Sequence, residues 1–116
     1  MIKKKDKIFI AGHKGLVGSA IIRNLEKNGY KNLEVISKNK LNLVNQNAVF
    51  KYLKKIKPKF IFIAAAKVGG IYSNKNYKAE YIYQNLMIQT NIIHGAYKSG
   101  VKNLIFLGSS CIYPKL

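Results

Sequence analysis

Four short apolar runs punctuate the chain: Lys7–Ala11 (K-I-F-I-A), Leu33–Ser37 (L-E-V-I-S), Phe60–Ala64 (F-I-F-I-A) and Leu104–Leu107 (L-I-F-L). They are rich in β-branched and aromatic residues. Most carry apolar side chains at nearly every position, as strands buried on both faces of a parallel sheet do. Between the runs the spacing turns helical. Leu16, Val17, Ala20, Ile21 and Leu25 recur at helical spacing, and Asn28-Gly29 supplies a stop signal. Val49, Phe50, Leu53 and Ile56 do the same over 45–57, up to Pro58. A loop is expected around Val68-Gly69-Gly70, then a long helix from about residue 76 to 98, closed by Ser99-Gly100. That helix has two apolar stripes: Ile82, Leu86 and Ile93 on one, Ile88, Ile92 and Ala96 on the other. Two stripes need more cover than one sheet face provides. The order β-α-β-α-β-α-β with short connections predicts an α/β fold, a doubly wound parallel sheet of four strands. No linker, repeat or low-complexity tract divides it, so residues 1–116 read as one domain or part of one.

At the first strand-to-helix junction stands Gly12-His13-Lys14-Gly15-Leu16-Val17-Gly18, a G-x-x-G-x-x-G spacing. The first glycine permits a tight turn. The second lets backbone N–H groups approach a pyrophosphate at the positive end of the helix. The third lets helix and strand pack closely. In a βαβ context this points to a dinucleotide and a Rossmann-like sheet; a ligand-free glycine turn is the competing reading. A nucleoside-triphosphate loop is excluded, because no Gly-Lys-Ser/Thr closes the motif. NAD sites usually carry an acid at the end of the second strand, on the ribose hydroxyls. Here that end reads Val35-Ile36-Ser37-Lys38. Lys14 and Lys38 suit a 2′-phosphate, which favours NADP(H). The alternative is that both belong to a general lysine excess.

That excess is large. The 116 residues include 21 Lys and Arg against 4 Asp and Glu, a formal charge of +17. Such a charge suggests a polyanion partner. Against nucleic acid stands its make-up: Arg23 is the one arginine, and most lysines are scattered. A solvated lysine surface is the simpler reading. At 48% apolar residues the chain can form a core, which excludes wholesale disorder. One cysteine excludes an internal disulfide and a multi-cysteine zinc site, and no metal site is expected. No run reaches the roughly 20 apolar residues of a membrane span, and the basic N-terminus lacks a signal-peptide core. An intracellular, cytoplasmic domain without a membrane partner is therefore expected.

In such sheets ligands lie outside the carboxyl ends of the strands. Ala64-Ala65-Ala66 follows the third strand, small enough for a cofactor to lie against the backbone or for a helix to pack closely. Ser109-Ser110-Cys111 follows the fourth. A serine there suits a carbonyl. The cysteine suits acid/base work beside a cation, or inert packing. His13 and His94 make no convincing dyad with Cys111, and His94 reads as a helix surface or core residue.

Three blocks are more specific: Ala11–Ala20, Ala64-Ala65-Ala66-Lys67-Val68-Gly69-Gly70-Ile71, and Leu107-Gly108-Ser109-Ser110-Cys111-Ile112-Tyr113-Pro114-Lys115. With Tyr81–Asn85 and Asn91–His94 between them, the chain from Ile8 onward resembles the GDP-L-fucose synthase family of the extended short-chain dehydrogenase/reductases. The resemblance implies two epimerisations of a GDP-4-keto sugar, at C3 and C5, followed by reduction of C4 with NADPH. It implies that Gly12, His13, Lys14, Gly15, Leu16, Val17 and Gly18 hold the pyrophosphate. Lys38, Asn39, Lys40, Leu41, Asn42 and Leu43 would line the adenosine end. Ala64, Ala65, Leu107, Gly108, Ser109 and Ser110 would run along the cofactor. Ser109 would bond the keto oxygen, and Cys111 would be half of the epimerase acid/base pair. Lysines at 14 and 38 stand where the family commonly has arginine, keeping the charge but losing the bidentate fork.

None of the eight tyrosines has lysine at the fourth following position. The reductase Tyr-x-x-x-Lys pair is thus absent from these residues, as is the family's epimerase histidine. The chain is accordingly expected to be the N-terminal portion of a longer enzyme, without its substrate domain and inactive alone. Its partners would be a GDP-sugar and, through the doubly apolar helix, a second copy. One rival reading is another NAD(P)-dependent sugar-nucleotide epimerase or dehydratase of the same superfamily; a second is a basic module binding RNA or another polyanion on a Rossmann-like scaffold. The second draws on the tyrosines interleaved with lysines over Tyr72–Tyr83, and it is weakened because those tyrosines fall in a helix region predicted to be buried.

Overall fold

The computed structural model describes residues 2–65 and 71–107, with side chains outside 71–78. Strands β1 (Ile8–Ala11), β2 (Leu33–Glu34), β3 (Phe60–Ile63) and β4 (Asn103–Phe106) alternate with helices α1 (Leu16–Lys27), α2 (Gln46–Ile56) and α3 (Ile71–Lys98). All pairings are parallel. The four strands lie in the order β2-β1-β3-β4. The predicted α/β, doubly wound arrangement is therefore the observed one.

The order follows from connection chemistry. A parallel crossover takes the right-handed path almost without exception. The step from β1 to β2 runs one way across the sheet, and the steps to β3 and β4 run the other. This places α1 on one face and α2 with α3 on the opposite one. Side-chain alternation matches. Phe9, Ala11, Ile61 and Ile63 join Val49 and Leu53 of α2 and Ile88, Ile92 and Ala96 of α3 in one buried cluster. Ile8 and Ile10, pointing the other way, are equally buried but lie outside that cluster.

Each helix end has a local cause. Asn45 caps α2, its side chain accepting from the Ala48 N–H at 3.0 Å. Lys57 ends it in the left-handed region at φ 44°, just before Pro58. The long helix begins at Ile71, earlier than the apolar spacing predicts. Its stripes separate as two distinct environments: Ile88, Ile92 and Ala96 are buried, while Ile82, Leu86 and Ile93 face solvent. Tyr83 is 58% exposed, so burial of the tyrosines does not hold for it. The second strand is shorter than the run Leu33–Ser37. It pairs only through Leu33 and Glu34, at the sheet edge, and Val35 is exposed. Tyr52, edge-on to Phe9 at 5.4 Å, points its hydroxyl at Glu34. Burial, and then the neighbouring carboxylate, push the phenol up to about 12.

Gly95 lets α3 press on α2. A Cβ there would sit 2.9 Å from Leu53 Cδ1 and 3.0 Å from Phe50 Cδ1. Gly95→Val is expected to cost about 2 kcal/mol or more through overpacking, read as a lower denaturant midpoint at unchanged slope. A variant as stable as the parent would show that the helices separate freely.

Candidate functional site

The chain leaves β1 in one direction and β3 in the other, so a crevice opens between their carboxyl ends. Gly12 lies there at φ 91°, a conformation that favours glycine. Any Cβ on it would come within 2.6 Å of the Ala65 nitrogen and 2.7 Å of the Ala64 carbonyl carbon. Ala64 N–H in turn bonds the Ala11 carbonyl at 2.9 Å. The backbones of the first and third strand ends are thus in direct contact. Gly18, in the first turns of α1, is tighter still. A Cβ on it would fall 2.0 Å from the Gly12 carbonyl oxygen. Gly15 differs, since a Cβ there would meet only that oxygen, at an ordinary 3.5 Å. Gly15 is the N-cap of α1 and supplies no side-chain cap, and no acid stands in the first turn. The first N–H groups of the helix therefore carry their positive end toward whatever fills the crevice.

Above the crevice lies a cavity of about 770 Å³, within the usual range for a cofactor site. Gly12, His13, Lys14 and Gly15 form its floor. Ala64 and Ala65 form the side toward β3, and Ile88 of α3 closes the back. The remaining wall is the segment after β2: Ile36, Ser37, Lys38, Asn39, Leu41, Asn42, Leu43 and Val44. That segment is folded on itself. The Lys40 and Leu41 N–H groups both bond the Ser37 carbonyl at 3.0 Å. The Asn42 side chain accepts from the Val44 N–H at 3.1 Å, a turn favoured by asparagine.

The structure thus gathers His13, Lys14, Lys38, Asn39, Leu41, Asn42, Leu43, Ala64 and Ala65 with Gly12 and Gly15 around one space. Leu16 and Val17 are not on its lining. Leu16 is 87% exposed, and both belong to the outer surface of α1. Gly18 acts beneath the cavity, as the contact between α1 and β1. Lys40 is exposed and also off the lining. Leu107 follows β4, its N–H bonded to the Ile63 carbonyl at 3.1 Å, and it too is off the lining. Gly108, Ser109, Ser110 and Cys111 lie outside the described residues, as does the glycine pair at 69 and 70. The sequence reading missed Ile36, Ser37, Val44 and Ile88. The first two end the β2 run and the third continues the wall, so position signalled them. Ile88 enters from a distant helix and gave no local signal.

His94 sits on the outer side of α3, beside a shallower depression that also involves Gln46, Thr90 and Tyr97. Its ring stacks on Tyr97 at 6.0 Å and tilts against Phe50 at 5.6 Å. Among the described residues no three His, Cys, Asp or Glu side chains group as metal ligands. Nor is any helix there long and apolar enough to cross a membrane.

The three glycines separate by test. Gly12→Ala and Gly18→Ala drive a methyl into backbone and are expected to cost more than about 3 kcal/mol or to prevent folding. Gly15→Ala is expected to keep stability within about 1 kcal/mol. Thermal unfolding of the three variants checks the order, and equal losses would contradict the geometry.

Residues 8–116 match the model of the NAD dependent epimerase/dehydratase family. The chain is 54% identical to a putative GDP-L-fucose synthase 2 of Arabidopsis thaliana, over 99% of its own length and 35% of that protein. It is 51% identical to the GDP-L-fucose synthase of Escherichia coli K12, over 97% of its length and 35% of the relative. Among solved structures it resembles a GDP-mannoheptose C4 reductase from Campylobacter jejuni with NADP bound. That match has a TM-score of 0.91 and 44% identity, covering 98% of this chain and 36% of the other. The chain thus spans about a third of the length of the relatives it matches. With the glycine turn, the crossover point and the cavity agreeing with these matches, the chain belongs to the NAD dependent epimerase/dehydratase family.

Proposed function

We propose that the chain is the NADP(H)-binding part of an enzyme of the GDP-L-fucose synthase type. Such an enzyme epimerises GDP-4-keto-6-deoxy-D-mannose at C3 and C5 and reduces its C4 ketone. One observation carries the reading. The cavity over the crossover point combines a helix start with no side-chain cap, a close glycine turn at Gly12 and Gly15, and two lysines, Lys14 and Lys38. This donor set suits a pyrophosphate and a 2′-phosphate together. The choice of sugar rests on identity of about one half with GDP-L-fucose synthases across nearly the whole chain.

Gly12, His13 and Gly15 would hold the pyrophosphate against the first turn of α1. Lys14 and Lys38 would face the 2′-phosphate, and Leu41, Asn42 and Leu43 the adenosine. Ala64 and Ala65 leave room for the middle of the cofactor. Held there, NADPH would supply the hydride that reduces C4. In this reading Ser109 hydrogen-bonds the keto oxygen and so withdraws charge from C4. Cys111 exchanges protons at carbons that the neighbouring ketone makes acidic. The Tyr-x-x-x-Lys pair does not occur in these 116 residues, so the proton donor to the C4 oxygen is to be sought outside them.

A second reading has its own support. Likeness to the Campylobacter jejuni GDP-mannoheptose C4 reductase, at 44% identity, fits a GDP-4-keto-heptose substrate. Turnover of one GDP-4-keto sugar and not the other separates the two.

The exposed stripe Ile82, Leu86 and Ile93, with Tyr83 and Tyr97 beside it, fits a homodimer through α3. The double variant Leu86→Asp/Ile93→Asp is expected to sediment as a monomer while the parent sediments as a dimer. A parent that is monomeric at tens of micromolar would remove this interface. For the cofactor, Lys38→Ala is expected to raise the NADPH dissociation constant about tenfold or more and to change NADH binding little. Equal losses for both nucleotides in a binding titration would overturn the NADP assignment.

A further inference from the structure

We infer that Asn91 of α3 is a positioning residue for the adenosine end of the dinucleotide site, acting through the backbone of Leu43 and Val44. This rests on the dinucleotide reading above and goes beyond it, because Asn91 lies behind the wall that the cofactor would touch.

Asn91 is a buried polar residue, 3% exposed, on a helix face otherwise given to Ile88 and Ile92. A buried amide costs free energy unless it is paired. Its Nδ2 donates to the Leu43 carbonyl at 2.9 Å and to the Val44 carbonyl at 3.0 Å. Both partners line the cavity. The bonds within the segment, from Ser37 to Asn45, join residues close in sequence. They fold the segment on itself but do not fix it to the sheet. Asn91 ties it to α3, across 47 and 48 residues. One turn earlier, Ile88 lines the same cavity directly. One helix therefore links the back of the site to its adenosine wall, which Leu41 also anchors in the core.

A wall held in its binding shape needs no ordering when ligand arrives. A wall competent only a tenth of the time weakens affinity tenfold. Asn91 is thus a determinant of nucleotide affinity without touching nucleotide.

The test uses the protein as expressed from its own gene, with NADPH and 2′,5′-ADP as probes. The second carries the adenosine end alone. Asn91→Asp turns two donors into an acceptor facing two carbonyls. Asn91→Ala admits water to them and is the milder change if the aspartate variant does not fold. Val49→Ala, a buried change elsewhere in the same layer, reports the effect of lost stability alone. Asn91→Ala is expected to raise both dissociation constants about tenfold. It is also expected to speed amide exchange over residues 38–45, with saturating 2′,5′-ADP slowing it again. Val49→Ala is expected to leave both constants within about twofold. Unchanged 2′,5′-ADP affinity in folded Asn91→Ala, or an equal loss in Val49→Ala, overturns the inference. A parent protein that binds neither probe overturns the dinucleotide reading itself.

Discussion

Everything in this molecule is arranged around one close approach of bare backbone. The end of β1, the start of α1 and the end of β3 meet at Gly12, where a single methyl group would collide with Ala64 and Ala65. Gly18 brings the helix onto the same point. This contact does two jobs that other junctions keep apart. It closes the packing between helix and sheet, and it leaves the helix N-terminus, without a side-chain cap, open beside the glycine turn. Anion-binding capacity is therefore a by-product of how tightly the elements join. The positive left-handed φ at Gly12 is tolerated because glycine has no Cβ to clash.

The parallel order imposes the rest. A sheet with β1 at its centre leaves a crevice beside β1, and the segment after β2 must wall it. That segment has no strand partner beyond Glu34. Its order comes from asparagines at 42 and 45, from buried Leu41, and from α3 behind it. Phe50 and Leu53 meet α3 at Gly95 and set how near it stands to α2.

Much of this was legible from residue pattern. The first, third and fourth strand runs, the glycine turn and the two stripes of α3 appear close to where periodicity places them, because each is a local consequence of side-chain size and burial. What was not legible depended on long-range geometry. The run at Val35 has strand composition but lies at an edge, where no partner continues the ladder. Leu16 and Val17 sit within the glycine motif yet face outward, because α1 turns its polar-backbone end, not these side chains, to the crevice. Ile88 and Asn91 belong to the site only because α3 packs back over it, which no local spacing announces.

The lysine excess reads differently once the fold sorts it. Lys4 places its ammonium on the Asn28 carbonyl at the end of α1, with the Tyr30 ring 4.4 Å below it. Lys7 donates to the Ile56 carbonyl at the end of α2, at 3.1 Å. Lys27, Lys54, Lys55 and Lys98 stand in the last turns of their helices. These are the negative ends of helix dipoles and the sites of unpaired carbonyls, where cations stabilise. They lie at the amino ends of the strands, opposite the cavity. Part of the charge is thus helix termination, written in lysine because four acids are all the chain contains. Lys14 and Lys38 stand apart from that group: they line the pocket, at the carboxyl ends of the strands, where no helix end accounts for them. Among the described residues, the lysines at helix ends form one group, and Lys14 and Lys38 form another, set beside the helix start that has no side-chain cap.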